Sequence, residues 1–244
     1  MKKHIPNVIT CCNLISGCVA VSFAHAGRID MALLFIVTGA VFDFFDGMSA
    51  RLLGVSSPIG KELDSLADVV TFGAAPATML CYELSVVNYP PFMEGARVWL
   101  PYVAYIMTAF SALRLAKFNL DKRQTTSFIG LPTPANALFW GSLLVGGRGI
   151  IEGASCAHGG LCSAVVLCVL LILEAAACRV MISELPMFAL KFKHYAWRGN
   201  EARYLFLIVC LPLIAVFRVA SLAVIIVWYI ALSVFLNGRK TSKR

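Results

Sequence analysis

Asp43-Phe44-Phe45-Asp46-Gly47-Met48-Ser49-Ala50-Arg51, then eight residues, then Gly60-Lys61-Glu62-Leu63-Asp64-Ser65-Leu66-Ala67-Asp68, is the most acidic stretch of a chain that is otherwise mostly apolar. On a helix, Asp43, Asp46, Gly47 and Ala50 recur at i, i+3, i+4 and i+7 and share one face. Gly60, Asp64 and Asp68 recur at i+4 and i+8 and share another, with Thr71 following on the same side. The segment between them holds Gly54, Ser56, Ser57 and Pro58, so the spacing predicts two helices joined by a short turn and packed side by side.

The surroundings are membrane-like. The chain of 244 residues is 59% hydrophobic and 14% charged, with mean hydropathy +0.81, whereas soluble domains are about half apolar and a quarter charged. A carboxylate inside a membrane helix costs roughly 3 kcal/mol on insertion scales. Four at helical spacing therefore imply a use for the charge. Apolar runs predict an all-α, polytopic membrane helical bundle of about eight transmembrane helices, near 5–24, 30–53, 59–87, 97–118, 133–149, 162–182, 203–217 and 219–236. We read residues 1–244 as a single domain. The last two runs form a C-terminal hairpin over about 203–236, turning near Pro212 and Arg218. Residues 1–4 lead directly into the first apolar run without a cleavable leader pattern.

Charge supports that topology. With the N-terminus inside, only Arg28, Arg97, Arg148 and Arg218 fall in outer loops, and the other 17 of the 21 Lys and Arg fall inside. By the positive-inside rule both termini face the cytoplasm of a multi-pass inner-membrane protein. The formal charge of +8 then reflects topology, and no basic soluble domain is present to bind nucleic acid. The longest polar stretch, around 183–203, carries Phe188, Phe192, Tyr195 and Trp197 and reads as a short interfacial amphipathic helix. The nine cysteines lie mostly in apolar runs and form no CxxC pair, so they read as small hydrophobes. Cys156-x-His158-x-x-x-Cys162 lacks a fourth ligand for a zinc site.

The aspartates can be placed in depth. At about 1.5 Å per residue, Asp46 and Asp64 lie roughly 6–8 Å from the inner helix ends, and Asp43 and Asp68 roughly 12 Å. Four carboxylates in that space require a neutralising cation, and an all-oxygen donor set suits Mg²⁺, Mn²⁺ or Ca²⁺. Gly47, Ala50 and Gly60 keep the acidic faces free of bulk, and Arg51 can reach a phosphate. Small residues at this spacing also pack membrane helices closely, and membrane acids also mark ion pathways. A divalent-cation transporter is therefore the alternative class.

The pattern Asp43-x-x-Asp46-Gly47-x-x-Ala50-Arg51-(x8)-Gly60-x-x-x-Asp64-x-x-x-Asp68 resembles the complete signature of the CDP-alcohol phosphatidyltransferase family. Pro6-Asn7-x-x-Thr10 resembles the start of that family's first helix. Asp68–Ala77, Arg114–Asn119 and Ile129–Ala135 are similar to the phosphatidylserine synthase branch, with Thr71 and Asn136 standing where that branch leads us to expect serine and a small residue. The resemblance implies transfer of the phosphatidyl group of CDP-diacylglycerol to the hydroxyl of L-serine, releasing CMP. It implies Asp43, Asp46, Asp64 and Asp68 as ligands of two Mg²⁺ or Mn²⁺ ions, and Asp68 as general base as well. It further implies Asn7, Thr10, Gly47, Ala50, Arg51 and Gly60 as CDP-lipid contacts and a homodimer among membrane lipids. Arg114, Lys117, Asn119 and Thr133 are the acceptor candidates. Glycerol 3-phosphate or inositol phosphate is the alternative acceptor.

Overall fold

The computed structural model describes residues 4–55, 57–121, 129–156, 161–187 and 200–241. The expected interfacial helix with Phe188, Phe192, Tyr195 and Trp197 lies outside them, as does His158. Among the described residues the protein is helical, its one β-type contact being an isolated bridge between Ile129 and Pro186. Helix α1 spans His4–His25, α2 Ile29–Leu53, α3 Pro58–Asp68 and α4 Ala75–Val86. Two 3₁₀ segments, Pro91–Val98 and Leu100–Tyr105, lead into α5 at Ile106–Leu120, followed by α6 at Thr133–Cys156 and α7 at Leu161–Ile182. Helix α8 covers Glu201–Phe217 and α9 Ser221–Thr241.

The breaks have local causes. Gly54 ends α2 in the left-handed conformation, at φ 61°, which glycine adopts without a Cβ penalty. Ser57 caps α3, its hydroxyl accepting the Gly60 N–H at 2.9 Å, and Pro58 occupies the first turn, where no N–H is needed. Helices α8 and α9 fold back on each other. Phe206 stacks edge-on against Tyr229 at 6.0 Å and buries with Cys210 and Leu232.

Five segments are long and apolar enough to cross a membrane: His4–His25, Ile29–Leu53, Pro58–Val86, Leu161–Ile182 and Arg203–Phe235. The bent pair Pro91–Val98 and Leu100–Leu120 makes a sixth if taken as one span. This is fewer than the eight expected. Helix α6 does not qualify, and the C-terminal pair qualifies only as one 33-residue segment. The chain is a membrane protein by these helices, but a count of eight goes beyond what their length and apolarity carry.

Two features of the packing were not expected. Between α3 and α4 the helix widens into a π-helix, Val69–Ala74, in which Ala75 N–H reaches back to Val70 O. Pro76 is the physical reason: it has no N–H, and its ring collides with the carbonyl four residues back, so the α-ladder cannot run through it. Hydroxyls take up carbonyls there, Thr108 donating to Gly73 O at 3.3 Å and Thr78 to Ala74 O at 2.8 Å.

Secondly, α2 and α3 pack on α1 more than on each other. The backbone of α2 meets the chain of α3 chiefly further in, at the π-helix and α4, while their carboxylates approach one another across the gap. Glycines close that deep end. A Cβ on Gly17 would sit 2.8 Å from the Thr71 Cα, and one on Gly39 would sit 2.9 Å from the Asn13 Oδ1. The two acidic helices therefore converge at depth and splay toward the Gly54–Ser57 turn, leaving a cleft floored by α1.

Candidate active site

The cleft brings the aspartates together. One carboxylate oxygen each of Asp43, Asp64 and Asp68 lies within 4.8 Å of the others. Asp68 is buried, and Asp64 Oδ1 is fully buried with no hydrogen-bond partner. Three acids this close in a low-dielectric setting repel one another, and an orphaned buried carboxylate oxygen is costly. Both problems are relieved by a divalent cation with hard oxygen ligands, so the donor set fits one. Asp46 differs from the trio. It is buried, and its Oδ2 accepts a hydrogen bond from the Thr10 hydroxyl at 2.6 Å. The same hydroxyl lies 3.0 Å from the Pro6 carbonyl of its own helix.

Next to the acids the cleft holds a cavity of about 210 Å³. Asn7, Thr10, Gly47, Ala50 and Gly60 all line it, beside Asp46 and Asp64. A Cβ added to Gly47 would meet nothing within 4 Å, whereas one on Gly60 would meet Ser57 Oγ and Asn7 Oδ1 at 2.9 and 3.0 Å. Arg51 is not among the lining residues; it is exposed, and its Nε donates to Gly47 O at 3.0 Å. Lys61, which sequence reasoning counted only as an inner-side charge, does line the cavity and donates from Nζ to Asn119 O at 3.2 Å.

The acceptor candidates separate. Asn119 ties α5 to α3, its Nδ2 donating to Ser65 Oγ at 2.8 Å. Thr133 is buried on α6 with its hydroxyl oxygen unpartnered, and so is Asn136 one turn on, at both amide atoms. Arg114 is buried on α5 against Phe118, 6.0 Å from its ring centroid, and its Nε has no partner. Arg114 and Lys117 line a second cavity of about 60 Å³, apart from Asn119 and Thr133.

One residue was missed. Asn13, fully buried on α1, donates from Nδ2 to Asp68 Oδ1 at 3.3 Å. Its main-chain carbonyl accepts from the Thr71 hydroxyl at 3.1 Å. Its position three residues after Thr10 puts it on the same face of α1, which was the available signal.

A family model described as CDP-alcohol phosphatidyltransferase matches residues 3–170. The chain belongs to this family and is a transferase. Among similar proteins, the CDP-diacylglycerol–serine O-phosphatidyltransferase of Bacillus subtilis is 43% identical over 132 residues, covering 54% of this chain and 70% of that protein. Those of Helicobacter pylori (strain 26695) and Methanocaldococcus jannaschii are 34% and 37% identical over 135 and 142 residues. The match covers 54% of the Helicobacter protein and 59% of the Methanocaldococcus protein, so the chain spans little more than half the length of these two relatives.

Proposed function

We propose that this protein transfers the phosphatidyl group of CDP-diacylglycerol to the hydroxyl of L-serine, giving phosphatidylserine and CMP in phospholipid biosynthesis. The observation that carries the reading is the meeting of Asp43, Asp64 and Asp68 beside a cavity lined by the small signature residues Gly47, Ala50 and Gly60. The names of the relatives in three organisms support serine as acceptor.

Asp43, Asp46, Asp64 and Asp68 would hold the divalent ions, Mg²⁺ or Mn²⁺, with two ions as the number the resemblance implies. The chemistry supplied there would be positive charge against the pyrophosphate and the departing CMP. The chain's own residues do the rest. The cavity seats the cytidine end, with Asn7 and Thr10 at its α1 wall and the glycines allowing close backbone approach. Asp68 takes the proton of the serine hydroxyl as that oxygen forms its bond to the phosphatidyl phosphorus. The bond between that phosphorus and the bridging oxygen breaks, and CMP leaves with the electron pair. Asn13 holds the Asp68 carboxylate through one oxygen, which leaves the other for the proton.

The charge asymmetry of the loops supports a cytoplasm-facing site in an inner membrane, with both termini on that side. A homodimer is part of the reading, as the resemblance implies. The test uses purified protein in detergent with CDP-diacylglycerol, Mg²⁺ or Mn²⁺, and labelled L-serine, with glycerol 3-phosphate and inositol phosphate in parallel. Serine-dependent, chelator-sensitive labelling of lipid is the expected result. Labelling by a phosphorylated alcohol alone would move the acceptor, and metal binding without any transfer would favour a cation transporter.

A further inference from the structure

Asn119, Ser65 and Lys61 form a closed ring of hydrogen bonds between α5 and α3. The Asn119 Nδ2 donates to Ser65 Oγ at 2.8 Å, the Ser65 hydroxyl donates to Lys61 O at 3.2 Å, and Lys61 Nζ donates to Asn119 O at 3.2 Å. Each member gives one bond and takes one. The Asn119 carbonyl lies in the last turn of α5, where the helix has no N–H to offer it, and an ammonium suits the negative end of the helix dipole. The ring depends on these residue types: an amide that reaches across, a hydroxyl that both gives and takes, and a long cationic arm.

The turn of α3 that the ring encloses, from Lys61 to Ser65, is the one that carries Asp64. Two of the other signature carboxylates have donors of their own: Thr10 holds Asp46 and Asn13 holds Asp68. Asp64 Oδ1 is buried without a hydrogen-bond partner, so the place of this carboxylate depends on how α3 itself is held. That helix has 11 residues and packs mainly on α1. A carboxylate about 5 Å from a helix axis moves roughly 1 Å for every 10° of roll, whereas a metal ligand set tolerates about 0.2 Å. Lys61 and Ser65 stand one residue on from Gly60 and Asp64, about 100° round the helix. Bonds there oppose roll without entering the acidic face. We infer that this ring is a lock that sets Asp64 for the cation, and that Asn119 is a positioning residue acting through α3 and not a contact of the acceptor. The inference rests on the metal reading of the aspartates above and adds Asn119 and Ser65 to the residues on which that site depends.

Mn²⁺ binding to the purified protein in detergent, without substrate, tests this apart from turnover, with free Mn²⁺ read by electron paramagnetic resonance. Asn119→Ala and Ser65→Ala should each weaken Mn²⁺ binding about tenfold, the lower end of what partners outside the ligand set cost. The double variant should bind no more weakly than either single one, because breaking the ring once removes the lock. Ser65→Thr, which keeps the hydroxyl, should bind as wild type does. Wild-type Mn²⁺ affinity in both alanine variants overturns the lock. Losses that add in the double variant do the same, since they report two unrelated defects. A raised KM for L-serine in Asn119→Ala, with Mn²⁺ affinity kept, refutes the positioning role and returns Asn119 to the acceptor. Where Asn119→Ala does not fold, Ser65→Ala, the smaller change, decides the matter with Ser65→Thr beside it. Wild type that binds no Mn²⁺ would instead overturn the metal reading itself, and the role of the lock with it.

Discussion

Gly17→Ala should damage catalysis from a position that touches no substrate. A Cβ at Gly17 would stand 2.8 Å from the Cα and 2.9 Å from the N of Thr71, and would also strike the Thr71 hydroxyl. The hydroxyl can rotate, but the two backbone atoms cannot. Ordinary contact begins near 3.4 Å, so α1 must retreat from the π-helix by about 0.6 Å, the difference between 3.4 and 2.8. Overpacking of this kind costs about 1–3 kcal/mol. The displaced pair carries the Thr71-to-Asn13 and Asn13-to-Asp68 hydrogen bonds, so the shift is delivered to the base. A misplacement of ~1 Å can cost ~100-fold in rate, which puts 0.6 Å on the order of tenfold. Gly47→Ala is the matched control, because its Cβ meets nothing within 4 Å yet faces the substrate cavity. It should leave the unfolding midpoint in detergent unchanged or raised, a helical glycine being up to about 1 kcal/mol worse than alanine, while raising the KM for CDP-diacylglycerol. Label transfer and thermal unfolding on both variants are the assays. Wild-type turnover in Gly17→Ala, or loss of stability in Gly47→Ala, would refute the packing argument.

Four further outcomes are expected. Asp68→Asn should abolish label transfer while CDP-diacylglycerol still protects the protein thermally; full activity would remove Asp68 as base. Asn13→Ala should lower kcat by about tenfold or more, with little change in either KM, as the carboxylate loses a hydrogen bond worth about 1.5–3 kcal/mol when charged; a pure KM effect would assign Asn13 to binding. Ser57→Ala removes the cap of α3 and should cost about 1 kcal/mol of stability, read as a lower unfolding midpoint, and an unchanged midpoint would show the turn is held by other contacts. Chelation should stop transfer, and Mn²⁺ or Mg²⁺ should restore it; activity that survives exhaustive chelation would remove the metal role of the aspartates.

The parts legible in the sequence were those with strong local causes. Gly54, Ser57 and Pro58 announce a break between acidic helices, and the i+3 and i+4 spacing sets which carboxylates share a face. The cleft was not legible, because whether two neighbouring helices touch or splay depends on a third. Here α1 takes both contacts, through Gly17 and Asn13. Asn13 itself lay hidden for a related reason: an asparagine in an apolar helix reads as nothing until its partner Asp68 is placed beside it. Arg51 is a different case: its type suits a phosphate, and on the helix end its Nε bonds its own turn while the side chain is exposed. The count of eight spans is not reached because length and apolarity leave out α6 and admit Arg203–Phe235 as one 33-residue segment, within which Phe206 packs against Tyr229.

The π-helix at Val69–Ala74 behaves as a phase adapter. An α-helix turns about 100° per residue, so any face set at Asp68 dictates the face of every residue after it. One extra residue in a single wide turn breaks that dependence. The carboxylate-bearing half can be aimed at α1 and the cleft, while the half from Ala75 onward buries Met79, Leu80 and Leu84 in a core with its own geometry. Deleting one residue between Val69 and Ala74 would close the wide turn to an α-turn and keep both halves on their faces, at the cost of setting Pro76 against a carbonyl one turn back. A deletion outside that turn would instead rotate one half against the other by about a quarter turn.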